Sequence, residues 1–235
     1  MSQSRVRIVI KPRHLVEKLL LVAGLIGIGI WAGAYGSTAA FQSWQNFAFE
    51  CRLRGTTPTL AHYVVHQGKR LVAAEEAWCG VGPEPSTLPA PPMAPPAHAP
   101  RRIPHDGLVG RLVIPRLHLG EIVREGDGQR TLSLALGHIP GTALPGQAGN
   151  VGVAGHRDTL FRSLRSIETN DQIQFQTLDG SYDYRVESIE VVKPNDVRVL
   201  APGRYPELTL VTCYPFYYVG AAPDRFIVKA RQVSP

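Results

Sequence analysis

A cysteine, Cys213, closes the apolar run Leu208-Thr209-Leu210-Val211-Thr212, and twelve residues later Arg225 opens a second run, Phe226-Ile227-Val228. A cysteine at the end of a strand can be held rigidly while its thiolate faces solvent, which is what a nucleophile for acyl transfer needs. Such a nucleophile works with a group that moves protons. His156 is suited to that role, since it comes after the short apolar run Val151-Gly152-Val153-Ala154-Gly155 and precedes the polar turn Arg157-Asp158-Thr159. An imidazole, whose unperturbed pKa is about 6.5, can give a proton to a departing amine and take one from an incoming amine. Arg225 adds a cation able to hydrogen-bond a carbonyl oxygen as it becomes an oxyanion. Each residue alone has an ordinary reading: an inert buried thiol, a turn histidine, and a surface arginine paired with Asp224. The combination is what points to chemistry, and nothing in the trio requires a metal. His98, His105 and His118 have no ligand spacing and are expected to face solvent.

The elements that must hold these residues are short. From Gly107 onward, apolar runs at 108–114, 121–123, 150–154, 172–177, 182–192, 207–213 and 225–230 alternate with turn signals, including Asp127-Gly128 and Asp179-Gly180. Seven or eight strands at this spacing predict a small, mostly antiparallel barrel or sandwich. The apolar spacing over 159–167 predicts one short helix after His156. Asp158 is placed to cap it, with orientation of His156 as the alternative role.

The rest of the 235-residue chain divides by composition. Residues 1–18 carry five basic side chains against one acidic, most of the net charge of +6, whereas residues 101–235 hold sixteen basic against fourteen acidic. That near-balance leaves no electrostatic footprint for nucleic acid. Residues 19–40 are uncharged and apolar, with Trp31 and Tyr35 toward the far end, and read as a transmembrane signal anchor with a cytoplasmic basic tail at 1–18. A signal peptide cleaved near Ala32-Gly33-Ala34 is the alternative, and both export the remainder. Residues 41–80 read as a juxtamembrane helical segment, with Phe41, Trp44, Phe47 and Phe49 as a packing stripe. Residues 81–104 form a Pro- and Ala-rich spacer that bounds a domain at 105–235. In an exported chain Cys51 and Cys79 could pair, with free thiols as the alternative.

Taken together, residues 107–231 resemble the sortase family of membrane-anchored cysteine transpeptidases. The likeness rests on Arg111-Leu112-Val113-Ile114-Pro115, Gly137-His138-Ile139-Pro140-Gly141-Thr142, Gly149-Asn150-Val151 through Gly155-His156-Arg157-Asp158, and Thr209-Leu210-Val211-Thr212-Cys213 with Arg225. Leu-Gly-His-Ile-Pro-Gly-Thr and Thr-Cys-Tyr-Pro-Phe look like class D, with class E the nearest rival. The resemblance implies an eight-stranded β-barrel with one or two short helices behind an N-terminal transmembrane helix. It implies Cys213 as nucleophile, His156 as general acid and base, and Arg225 as substrate and oxyanion stabiliser, with His138, Thr142 and Thr212 bordering the substrate. The implied partners are surface proteins with a C-terminal LPxT(G/A)-type sorting signal and an amine acceptor, a peptidoglycan cross-bridge or a pilin lysine, alongside membrane lipid around the N-terminal helix. The expected location is the plasma membrane with the catalytic domain outside. No cofactor is expected, and calcium dependence cannot be read from Glu121, Glu125, Asp127, Glu168 and Asp171, which lack ligand spacing. A hydrolytic cysteine protease of the same fold and a non-catalytic peptide-binding barrel are the alternatives.

Overall fold

The computed structural model describes residues 12–78, 103 and 107–233. The expectations for residues 1–11, for Cys79 and its pairing with Cys51, and for nearly all of the Pro-rich spacer fall outside them. The chain separates into two compact units, with the boundary between Ala40 and Phe41. One helix, α1 (Pro12–Leu53), contributes to both. In the first unit it leaves large apolar side chains such as Leu20 and Trp31 exposed, and among the described residues it is the one helix long and apolar enough to cross a membrane.

In the second unit, residues 41–53 of α1 and helix α2 (Leu60–Trp78) form a hairpin. Trp44 and Phe47 meet the Tyr63 ring edge-on at 5.3 and 5.5 Å, and Tyr63 donates to Ser43 Oγ at 3.1 Å. The aromatic stripe is therefore packing.

The strands are β1 (Leu108–Ile114), β2 (Leu119–Glu125), β3 (Leu136–His138), β4 (Asn150–Ala154), β5 (Gln172–Gln176), β6 (Ser181–Val192), β7 (Glu207–Tyr214) and β8 (Asp224–Gln232). They close into a barrel in the order β1-β2-β3-β4-β7-β8-β6-β5. Two pairs, β2 with β3 and β4 with β7, are parallel, and the others are antiparallel. Because side chains alternate along a strand, Leu112, Ile114, Val151, Val153, Leu208, Leu210, Val228 and Ala230 point into the core with Phe161, Phe175 and Tyr184. Their neighbours Gly152, Ala154, Val211, Cys213, Arg225 and Ile227 consequently line the outside. The Asp179-Gly180 signal lies in the β5–β6 hairpin, where Thr177 N donates to Gly180 O at 2.8 Å.

Two local expectations change. Leu136–His138, which is not among the apolar runs that mark the other strands, is a strand; three residues are too few to show alternation. The helix after His156 is a turn succeeded by a 3-10 helix at Arg162–Ser166. Phe161 N is committed to His156 O at 3.0 Å, and the residues beyond it close only tight turns such as Leu164 N to Phe161 O at 3.1 Å. Asp158 is exposed, and no side chain caps this segment.

Candidate active site

Cys213 and Arg225 are direct cross-strand partners in the β7–β8 ladder. Opposed residues in an antiparallel pair share a face, with Cβ atoms about 4.5–5.5 Å apart, so thiol and guanidinium project together from the outside of the barrel. In the parallel β4–β7 pair, Ala154 lies opposite Val211. His156 and Cys213 each lie two residues further on, which carries the imidazole to the same end of the sheet as the thiol.

Gly155 makes that approach feasible. A side chain there would meet Phe161 Cδ2 at 2.6 Å and Leu136 Cδ2 at 2.7 Å, so only glycine lets the strand pass over the core at this point. Its N–H donates to Val211 O at 3.1 Å, and Thr212 Oγ1 donates to its carbonyl at 2.7 Å. Thr212 is 2% exposed and thus acts as a clasp between the cysteine strand and the histidine turn.

Cys213, His156 and Arg225 line one open cavity of about 360 Å³. Gly155 and Thr212 lie beneath them, and Val197, Val199 and Leu200, in the connection between β6 and β7, form one wall. Asp127 and Leu132, from the connection between β2 and β3, line another part. Sequence reasoning missed both of these borders, because connecting segments carry no periodicity that ties them to a distant strand.

The groups in this cavity are only lightly engaged. Arg225 Nη1 donates to the carbonyls of Asp224 at 2.9 Å and Ala222 at 3.4 Å. The Asp224 carboxylate, the alternative partner for Arg225, takes Lys193 Nζ at 2.7 Å instead. Asp158 is exposed and stands outside the cavity lining, so it is not placed as a carboxylate behind His156. After Cys213 the chain is fixed by aromatic packing, with Tyr214 stacked on Phe226 at 6.1 Å and Phe216 edge-on to Phe226 at 5.1 Å. Arg157 Nη2 ties the β7–β8 loop to the histidine turn by donating to Tyr218 O at 2.7 Å and Gly220 O at 3.1 Å.

His138 and Thr142, expected at the substrate groove, are not brought there. His138 is 2% exposed. Its Nδ1 lies 2.7 Å from Glu125 Oε2, and its Nε2 lies 2.9 Å from Ala143 O and 3.0 Å from Thr142 Oγ1. Thr142 Oγ1 donates to Ile139 O at 2.7 Å and accepts from Gly152 N at 3.0 Å. The two residues brace the β3–β4 connection from within. Of the acidic residues considered for calcium, Glu125 is paired with His138, and Asp171 and Glu168 with Arg116 at 2.5 and 3.4 Å. Burial raises the Glu121 carboxyl to about 7.

A closed eight-stranded barrel with this cysteine, histidine and arginine gathered outside its β4–β7–β8 sheet has the architecture of the sortase fold. The sortase domain family profile matches residues 112–233, more than half of the sequence, and the chain belongs to the sortase family. Sortase D of Bacillus subtilis is 32% identical over 126 residues, 53% of this chain and 64% of that protein. Sortase SrtE1 of Streptomyces coelicolor is 37% identical over 108 residues, 40% of this chain. The chain thus spans 64% and 29% of the lengths of these two relatives. Among solved structures, a Clostridium perfringens Sortase D5 transpeptidase superposes with a TM-score of 0.52 at 29% identity, covering 57% of this chain and 83% of the other. A lid mutant of sortase A from Corynebacterium diphtheriae gives 0.51 at 30%, covering 54% and 70%.

Proposed function

We propose that the chain is a membrane-anchored cysteine transpeptidase that cleaves an LPxT(G/A)-type sorting signal after its threonine and passes the acyl group to an amine. The observation that carries this reading is the single cavity into which Cys213, His156 and Arg225 converge from β7, the turn after β4, and β8. The Cys213 thiolate attacks the threonine carbonyl carbon, and Arg225 stabilises the resulting oxyanion. As the C–N bond breaks, His156 protonates the leaving amine and the acyl group remains as a thioester. An incoming primary amine then attacks the thioester, His156 accepts its proton, and the thiolate is regenerated. These steps use side chains alone, without a cofactor.

The substrates in this reading are exported proteins with C-terminal sorting signals, and the acceptor is a peptidoglycan cross-bridge or a pilin lysine, so the product is an anchored protein or a growing pilus. The basic flank of the apolar stretch in α1 favours a cytoplasmic N-terminus, with the barrel outside the membrane. The test is to incubate the detergent-solubilised full chain with fluorogenic LPxTG and LPxTA peptides, with and without an amine acceptor, and to weigh the products. An amine-ligated product that disappears in Cys213→Ala is expected. Hydrolysis that amine does not alter would replace transpeptidation with proteolysis.

A further inference from the structure

The barrel closes, but β3 covers only the last part of β2. On the side away from β1, β2 has strand partners only at Val123, Arg124 and Glu125, so Gly120 and Ile122 lack a neighbour in that direction. Unpaired backbone groups under a covered surface are costly, and here α1 pairs them. Gln42 Oε1 accepts from Ile122 N at 3.0 Å, while Asn46 Nδ2 donates to Gly120 O at 3.2 Å. The same stretch of helix is fastened along the outside of β1 and β2. Glu50 pairs with Arg111 at 3.0 Å, Phe49 lies beneath the Arg111 guanidinium at 5.4 Å, and Phe41 lies beneath Arg124 at 5.6 Å. Ile122 and Phe49 are fully buried.

Gln42 does more than fill a missing strand. It is 6% exposed, and its Nε2 donates to Leu134 O at 2.7 Å. Leu134 lies near the end of the connection from β2 to β3, which contains the short helix α3 (Gln129–Leu132). Asp127 and Leu132 of this connection line the cavity that holds Cys213, His156 and Arg225. One buried amide therefore joins the edge of β2 to the segment that borders the cavity. An amide suits this bridge because it accepts on one atom and donates on the other, as a peptide unit would.

We propose that Gln42 is a positioning residue for substrate binding: by bridging Ile122 N and Leu134 O it holds the α3 wall against the cavity, which makes residues 41–53 of the membrane-anchor helix a working part of the catalytic domain. The proposal rests on the transpeptidase reading for its substrate, but not for its structural content.

The test uses the detergent-solubilised full chain as wild type, Gln42→Glu, Gln42→Leu and, as a control, Tyr63→Phe, which removes the hydroxyl's bonds to Ser43 of α1 and Gln67 of α2 and touches neither β2 nor α3. Gln42→Glu keeps an acceptor for Ile122 N but loses the donor to Leu134 O. Both Gln42 variants are expected to speed hydrogen exchange of the Leu132, Leu134 and Ala135 amides about tenfold, the upper range for loss of one hydrogen bond, with β7 and β8 unchanged. KM for a sorting peptide should rise about three- to tenfold while kcat stays within twofold, and Tyr63→Phe should do neither. Unchanged exchange in both variants, or an even rise across the whole barrel, would overturn the proposal. If the wild type turns over no peptide, the transpeptidase reading fails, and exchange together with the rate of Cys213 alkylation still decides the role of Gln42.

Discussion

Two outer faces of one barrel are used in opposite ways. The face over β1 and β2 is covered by α1, and its polar groups are matched to partners: Arg111 with Glu50 and Gln176, Gln42 with two backbone groups. The face over β4, β7 and β8 is open, and among the described residues Arg225 there binds only neighbouring carbonyls. The contrast is sharpest between two histidines. His138 is buried with both ring nitrogens occupied, whereas His156 is partly exposed in a cavity beside a thiol. Satisfied polar groups hold a fold in place. Groups left free to change partner can do chemistry.

The largest test of this contrast exchanges the two histidines' fates. His156→Ala is expected to lower kcat/KM for a sorting peptide by about 10²–10⁴-fold with little change in Tm. His138→Ala should leave activity per folded molecule near wild type but cost about 1–3 kcal/mol in urea unfolding, because it strands the Glu125 carboxylate. The reverse pattern would erase the distinction. Next comes Arg225→Ala, expected to cost about 2.7–4 kcal/mol in transition-state stabilisation, read from kcat/KM. Lysine at this position should restore little, since it lacks the planar fork of donors. Thr212→Val probes the seam beneath the open face. Losing its bond to the Gly155 carbonyl should cost about 0.5–1.5 kcal/mol of stability, with a loss of kcat wherever the histidine turn loosens.

The smallest effect on catalysis belongs to Glu121, which lies outside the cavity lining. Its folded pKa of about 7 lies above the ordinary 4.5. The folded state thus binds the proton more tightly, and stability falls as pH rises between those two values and levels off above them. Gln at position 121 should remove this slope in Tm measured against pH. A slope that persists in Glu121→Gln would assign it to another group.

Much of the barrel was legible because alternation in β1, β4, β7 and β8 marks one buried face per strand, and the cysteine, histidine and arginine end or begin such runs. Parallel pairing was not legible: nothing in Val151–Ala154 states that its neighbour is Leu208–Val211 rather than an adjacent hairpin strand. The site's walls were hidden for a related reason, since Leu132 and Leu200 reach the cavity through connections whose course depends on tertiary packing. His138 misled because a motif loop gives residue types without orientation. The aromatic stripe of α1 announced packing, but its charged partners Arg111 and Arg124 lie far along the chain.

Cys213 and Arg225 are joined by strand register, not by the loop between them. Eight consecutive pairs, from Glu207 with Arg231 to Tyr214 with Asp224, lock that register before the chain turns at Pro215. The ladder therefore carries the alignment of nucleophile and cation, while the loop seats the histidine turn through the Tyr218 and Gly220 carbonyls that Arg157 binds, so a change of loop length is expected to misplace His156 before it disturbs the Cys213–Arg225 pair.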